Sequence, residues 1–395
     1  MSGQVSTRQS VLYRLSPLTM SGISVGFALI AALWLVAASV RGEIIALVAA
    51  VAVFVCAHFG RVLAGQRSSV AVEWGLAGYG MFAEFVVYAG IAAAVSVHPA
   101  GQPGLAGNSL GGTFVASLGG AGAVGVWRLA IISVILAVLA PMVDLCVRGA
   151  SRPAPRQGLF GPPCDIRLPL ACLTVLVLGT RAAFLVVLVL GVAALGVVII
   201  DGTRSPRDRG ELRGYRGDGR IAVWIGKWVD GRVPPLPPLF VGLLVTGVLT
   251  ALGLRNLPGI LLLTPVEAML LAAFASWHPH DGRGDWVVPP LLQAAEYVFI
   301  AEIGFVGRVW PPLIFAVVAA VGLRHLDLAY RVRGGLAAGI DRRGLGWEGR
   351  MIIVGIAAAV GFAPLAYGAL ALYLWWRVAR DWVVGWSARH TPVNR

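Results

Sequence analysis

The chain has 395 residues, of which 58% are hydrophobic and 13% charged, and a mean hydropathy of +0.80. A soluble domain carries about a quarter charged residues, so this composition excludes one and points to a bilayer. The net charge of +13 then speaks for basic loops at an anionic membrane surface and against a nucleic-acid partner.

The first 20 residues are polar and carry no cleavage-type signal. Apolar runs then predict helices over 20–40, 44–58, 72–97, 124–146, 167–179 and 182–201. A second series follows over 236–254, 257–277, 286–306, 309–329, 350–362 and 364–386. Backbone groups in lipid must bond internally, which favours helices, and the short alternating segments of a membrane barrel are missing from the sequence. The fifth and sixth helices of each series read as short, tilted or partly inserted. The expected fold is therefore an all-α integral membrane protein of about twelve helices. Its parts are a six-helix half over 1–201, a basic cytoplasmic linker over 202–235, and a second six-helix half over 236–395. Cys56, Cys146, Cys164 and Cys172 form no CxxC pair and read as packing residues.

Charge distribution supports this count. With the N-terminus in the cytoplasm, 27 of the 32 basic residues fall on the inside and five on the outside: Arg41, Arg128, Arg181, Arg255 and Arg308. Both termini of this multi-pass protein of the cell (inner) membrane are then cytoplasmic. The Gly-rich segment 99–125 reads as an outer linker.

The rare charged residues also repeat. Trp127, Asp144, Arg148, Asp165 and Arg167 have the same mutual spacings as Trp310, Asp327, Arg331, Glu348 and Arg350. The shared template is W-x16-D-L-x2-R-x16-[DE]-x-R. Upstream, Ala83-Glu84-Phe85-Val86 echoes Ala295-Glu296-Tyr297-Val298. Apolar helices resemble one another by composition alone, so only the charged positions argue for duplication. Two halves with even numbers of crossings share one orientation, which predicts parallel repeats about an axis along the membrane normal.

Glu84 and Glu296 stand about eleven residues inside their predicted helices, near mid-membrane at ~1.5 Å per residue. Buried there, each is expected to be protonated or paired with an arginine across a helix interface. Near the cytoplasmic face, the segment His278-Pro279-His280-Asp281-Gly282-Arg283-Gly284-Asp285-Trp286 gathers polar residues in a tight turn. Carboxylates at such a rim suit Mg²⁺ or Mn²⁺, and arginines suit phosphate oxygens. Asp281, Asp285 and His280 are the candidate catalytic residues, with Asp281 and Asp285 as metal ligands. Arg283, Arg331, Arg350 and Arg148 are the candidate phosphate ligands. The blander reading of the Asp144/Arg148 set is mutual neutralisation at a helix end. The Arg- and Gly-rich stretch 201–230, with Asp218-Gly219-Arg220, reads as a solvated linker.

Several motifs together resemble the CDP-alcohol phosphotransferases. They are Ser16-Pro17-Leu18-Thr19 before the first helix, Glu84-Phe85-Val86-Val87-Tyr88-Ala89-Gly90 in the third, and Pro141-Met142-Val143-Asp144 at the end of the fourth. The second half resembles the uncharacterised actinobacterial membrane domain that often follows such enzymes. There the residues are those of 278–286, Ala295-Glu296-Tyr297, Asp327-Leu328-Ala329-Tyr330-Arg331 and Gly346-Trp347-Glu348-Gly349-Arg350. The resemblance implies a cytoplasmic site where a CDP-alcohol or lipid phosphate is handled on two metal ions. The family's signature, D-x2-D-G-x2-A-R-x8-G-x3-D-x3-D, is not retained. Its aspartates fall near Cys56, Phe59, Leu76 and Gly80 in the first half. In the second half Asp281-Gly282 matches one Asp-Gly step, His278 stands for the first aspartate, and the later pair falls near Val288 and Leu292.

Three functions follow as expectations. The first is a phosphotransferase-like protein that acts on or binds a lipid or alcohol phosphate. The second is a catalytically inactive scaffold for an active membrane-protein partner. The third is a transporter of six plus six helices, since Gly60-Arg61-Val62-Leu63-Ala64-Gly65-Gln66-Arg67 resembles the loop between helices two and three of major facilitators.

Overall fold

A computed structural model describes residues 16–64, 70–98, 122–148, 166–204, 219–228, 285–333 and 345–387. Among them every regular element is helical. The α-helices are α1 (Pro17–Val36), α2 (Val40–Ala64), α3 (Val70–Val97), α4 (Gly122–Arg148), α5 (Arg167–Leu178), α6 (Thr180–Arg204), α7 (Arg220–Gly226), α8 (Val288–Val306), α9 (Pro311–Arg333), α10 (Trp347–Ala359) and α11 (Ala363–Ser387). A 3-10 turn, Asp285–Val287, leads into α8.

Six helical stretches are long and apolar enough to cross a bilayer: Pro17–Val36, Val40–Ala64, Val72–Val97, Gly122–Val147, Thr180–Thr203 and Pro311–Val332. The protein is an all-α, multi-pass membrane protein. Two of the twelve expected helices, at 236–254 and 257–277, lie outside the described residues. Of the helices expected to be abbreviated, α5 and α10 are, at 12 and 13 residues. At ~1.5 Å per residue such helices reach about 20 Å, short of a hydrocarbon core of about 30 Å. The expectation fails for the sixth helices, because α6 and α11 each run 25 residues. Both carry polar residues near their ends, and a helix propagates through such residues wherever they can reach the interface.

Local signals explain where the helices begin and bend. Ser16 caps α1: its Oγ accepts from the Thr19 amide at 3.0 Å, and Pro17 fills the first turn, where its missing N–H costs nothing. That sets the start three residues before the expected one. Helices α1 and α2 are joined by Ala37–Ser39, and the Ser39 Oγ accepts from the Gly42 amide at 3.1 Å. Helices α1 and α3 cross at small residues. A Cβ on Gly90 would stand 2.6 Å from the Ala32 Cα. Close approach of this kind drives packing in lipid, where burying apolar side chains gains little.

The chain divides into two compact units, residues 1–205 with 333–336, and 206–332 with 337–395. In the first, α3, α5 and α6 pack mutually, with α4 against α3 and α6, and α1 and α2 alongside. In the second, α8, α10 and α11 pack mutually. The spacing of 183 residues between Trp127 and Trp310 also separates Thr180 from Ala363 and Arg204 from Ser387, the ends of α6 and α11. Both short helices stop at a left-handed glycine, Gly179 (φ 90°) and Gly361 (φ 82°), a conformation that only glycine adopts cheaply.

Candidate functional site

Each unit is organised around a buried carboxylate facing a buried arginine. In the first, Glu84 on α3 faces Arg167, the opening residue of α5, with Oε2 and Nη1 3.7 Å apart. The Tyr88 hydroxyl, one turn along α3, donates to the same Oε2 at 3.4 Å. In the second unit Glu296 on α8 faces Arg350 on α10. Here the pair is bidentate: Nε donates to Oε1 at 2.5 Å and Nη2 to Oε2 at 3.0 Å. These four residues are the ones that the sequence repeat aligns. A charge buried in low dielectric needs a hydrogen-bonded counter-charge, and the two units meet that need with the same two positions.

Packing at neighbouring positions also matches. Tyr88 stacks edge-on against Phe184, with centroids 6.3 Å apart. Ile300 and Tyr367 occupy the corresponding places, and the Tyr367 hydroxyl donates to the Ile300 carbonyl.

Around this common frame the units diverge. Phe85 and Met142 are buried and apolar in the first. Their counterparts are Tyr297 and His325, whose hydroxyl and Nδ1 lie 2.7 Å apart. The other imidazole nitrogen, Nε2, is 3.2 Å from Arg350 Nη2 and 3.5 Å from Glu296 Oε2. Arginine offers only donors, so Nε2 accepts from it, and Nδ1 carries the proton donated to the tyrosine oxygen.

The same divergence extends along α9 and α11. The first unit has Pro141, Ala194 and Val198 at the positions held in the second by Arg324, Arg377 and Asp381. Arg324 Nη1 donates to Asp381 Oδ2 at 3.1 Å, and Arg377 Nη2 lies 3.7 Å from that oxygen. Two helical turns beyond Arg324, Arg331 Nε bridges both oxygens of Asp327 at 2.9 Å. Three guanidinium groups thus share two carboxylates. The Arg377 Nε is buried and has no hydrogen-bond partner. A buried guanidinium donor without an acceptor is costly, and a phosphate oxygen is the geometry it fits best.

The residues expected to form the site distribute unevenly. His280, Asp281 and Arg283 lie outside the described residues, as do Cys164 and Asp165. Asp285 opens the 3-10 turn before α8, and Arg148 closes α4, but both side chains lie outside the description. Arg331 is half-buried on Asp327. Arg350 has a different task from the expected one: it is sunk in the second unit, committed to Glu296. Glu84 and Glu296 are buried against arginines across helix interfaces, the second of the two states expected for them. Among the described residues no three His, Cys, Asp or Glu side chains gather as a metal site, so no step is derived through Mg²⁺ or Mn²⁺.

Arg324, His325, Arg377 and Asp381 were not read as site residues from the sequence, where the arginines counted only as basic charges on the cytoplasmic side. A signal did exist. Laying the halves on the 183-residue register and asking where they differ in charge brings up these four positions among others, such as Arg380 opposite Val197, whereas the search for a repeat keeps only positions that agree.

Residues 208–392 match a family of unknown function (DUF5941). The match takes in the second unit almost entirely, α7 to α11. It is compatible with the expected likeness of this half to an uncharacterised membrane domain. No family model for CDP-alcohol phosphotransferases matches the first half. No curated protein and no solved structure is similar to the chain.

Proposed function

We propose that the protein binds the phosphate of a lipid or alcohol phosphate, such as a CDP-alcohol, at one rim of the second unit. Arg324, Arg331 and Arg377 supply the positive charge, and the segment carrying His280, Asp281, Arg283 and Asp285 supplies the reacting or metal-holding groups. The observation that carries this reading is the Arg377 guanidinium, buried with its Nε unsatisfied beside a carboxylate that it shares with Arg324. The corresponding positions of the first unit are apolar, so the common frame does not require these charges. We read the two units as parallel repeats of six helices, of which the second has acquired the ligand chemistry. The 183-residue register and the paired Glu–Arg contacts support that reading. It further places the termini and the basic loops in the cytoplasm.

The test is CMP release by the purified chain in anionic nanodiscs, with Mg²⁺ or Mn²⁺ and a panel of CDP-alcohols and CDP-diacylglycerol. Binding of a short-chain phosphatidic acid is measured in parallel. Release lost in Asp281→Asn and weakened in Arg377→Ala supports a transferase that runs on its second unit. Binding without release, weakened at least tenfold in Arg377→Ala, supports a lipid-phosphate receptor. Neither release nor binding by a folded, monodisperse protein overturns the proposal.

A second reading, an inactive scaffold for a transferase, is favoured by one observation. The four positions of the family's signature in the first half carry Cys56, Phe59, Leu76 and Gly80, none of which is a ligand for Mg²⁺. Co-purification of an active transferase from native membranes is its test, and recovery of the chain alone counts against it.

A further inference from the structure

Helix α7 falls within the stretch expected to be a solvated linker, yet it is a docked element. Seven residues span about 10 Å and do not hold a helix on their own. What holds this one is Glu348, in the first turn of α10, 126 and 127 residues away. Its carboxylate accepts from the Ala222 amide at 2.6 Å and from the Ile221 amide at 2.9 Å. Gly219 enters the helix at φ 81°, and a Cβ there would collide with the Glu348 carboxylate. Both facts require glycine at a position whose Asp-Gly-Arg context looks like ordinary loop sequence.

The face turned away from this clasp is aromatic. Trp224 is 61% exposed and Trp228 78% exposed, with their rings edge-to-face at 6.3 Å. Ile221 and Val223 are exposed beside them, and Lys227 shares the outer surface. Lipid tails account for exposed apolar residues on the spanning helices, but α7 is too short to span. Tryptophan, with an apolar body and one N–H donor, partitions to the boundary between headgroups and tails. The chain around α7 adds charge of the fitting sign: residues 204–232 hold eight basic and four acidic side chains. Basic residues near an anionic leaflet are drawn to its surface charge.

We propose that α7 is an interfacial anchor that beds Trp224 and Trp228 in the headgroup layer of an anionic bilayer, with Glu348 as the clasp that ties this anchor to α10. The anchor is independent of the phosphate reading above, since it uses neither Arg377 nor residues 280–285. Glu348 stands two residues before Arg350, so a single short helix carries both the surface clasp and the buried partner of Glu296.

The experiment uses the full chain labelled with 5-fluorotryptophan in nanodiscs of phosphatidylcholine and phosphatidylglycerol. The two resonances are assigned by Trp224→Phe and Trp228→Phe. Gadolinium chelated on a lipid headgroup is expected to broaden both, and a water-soluble gadolinium chelate to leave them sharper. Glu348→Ala is expected to reduce the headgroup effect severalfold while the other tryptophan signals keep their positions, which reports that the fold survives. Omitting phosphatidylglycerol is expected to weaken the effect. Broadening by the soluble chelate alone would place the pair in water, and broadening by neither would place it against protein. Either result overturns the anchor.

Discussion

Arg350 grips Glu296 through two parallel hydrogen bonds, Nε to Oε1 at 2.5 Å and Nη2 to Oε2 at 3.0 Å, and both side chains are buried. The residues are 54 apart in sequence and come from different helices, α8 and α10. The bond therefore fastens the mutual packing of the second unit at its centre.

Glu296→Gln leaves the Arg350 guanidinium buried without its counter-charge. Breaking a buried pair by removing one partner costs about 3–5 kcal/mol. Thermal unfolding of the purified protein should show a large fall in Tm for Glu296→Gln. Replacing both residues together, as Glu296→Leu with Arg350→Met, should recover much of it.

Glu84→Gln should cost less. The first unit holds its pair through a single approach of 3.7 Å, helped by the Tyr88 hydroxyl, instead of a bidentate grip. A Tm loss for Glu84→Gln equal to or larger than that for Glu296→Gln would contradict the weaker geometry.

His325→Met alone imports the residue of the first unit but removes the imidazole partner of the buried Tyr297 hydroxyl, at a cost of about 1–3 kcal/mol. Tyr297→Phe with His325→Met converts both partners to the apolar pair seen at Phe85 and Met142. The double variant should be more stable than His325→Met, which a double-mutant cycle on unfolding free energies reads directly.

Gly90→Leu should separate α1 from α3, because even a Cβ meets the Ala32 backbone at 2.6 Å. Backbone at a crossing cannot yield as a flexible side chain can, and overpacking of this kind costs about 1–3 kcal/mol. Gly80→Ala, where a Cβ meets nothing within 4 Å, is the control and should unfold at the temperature of the unaltered protein.

Part of this architecture was legible in the residues. Long apolar runs located the six described spanning helices to within six residues at either end, because hydrocarbon tolerates no unsatisfied backbone. Rare charges in apolar surroundings are expensive, so their recurrence at equal spacings pointed to Glu84, Arg167, Glu296 and Arg350 as related positions. An arginine partner across a helix interface was one of the two states expected for each glutamate.

Tertiary structure decided the rest. Which arginine meets Glu296 depends on how α8 and α10 pack, and spacing along the chain does not encode that. Arg350 looked available to phosphate because sequence shows charge and not burial, and packing commits it to a carboxylate. The linker around Asp218 looked solvated because its composition is that of a loop. A single distant side chain, Glu348, supplies the amide acceptors that make seven of its residues a helix. Sequence alone determined what had to be hidden from water or lipid; only the folded chain determined which groups satisfy one another once hidden, since hydrogen bonds act over 3 Å in space and are indifferent to separation along the chain.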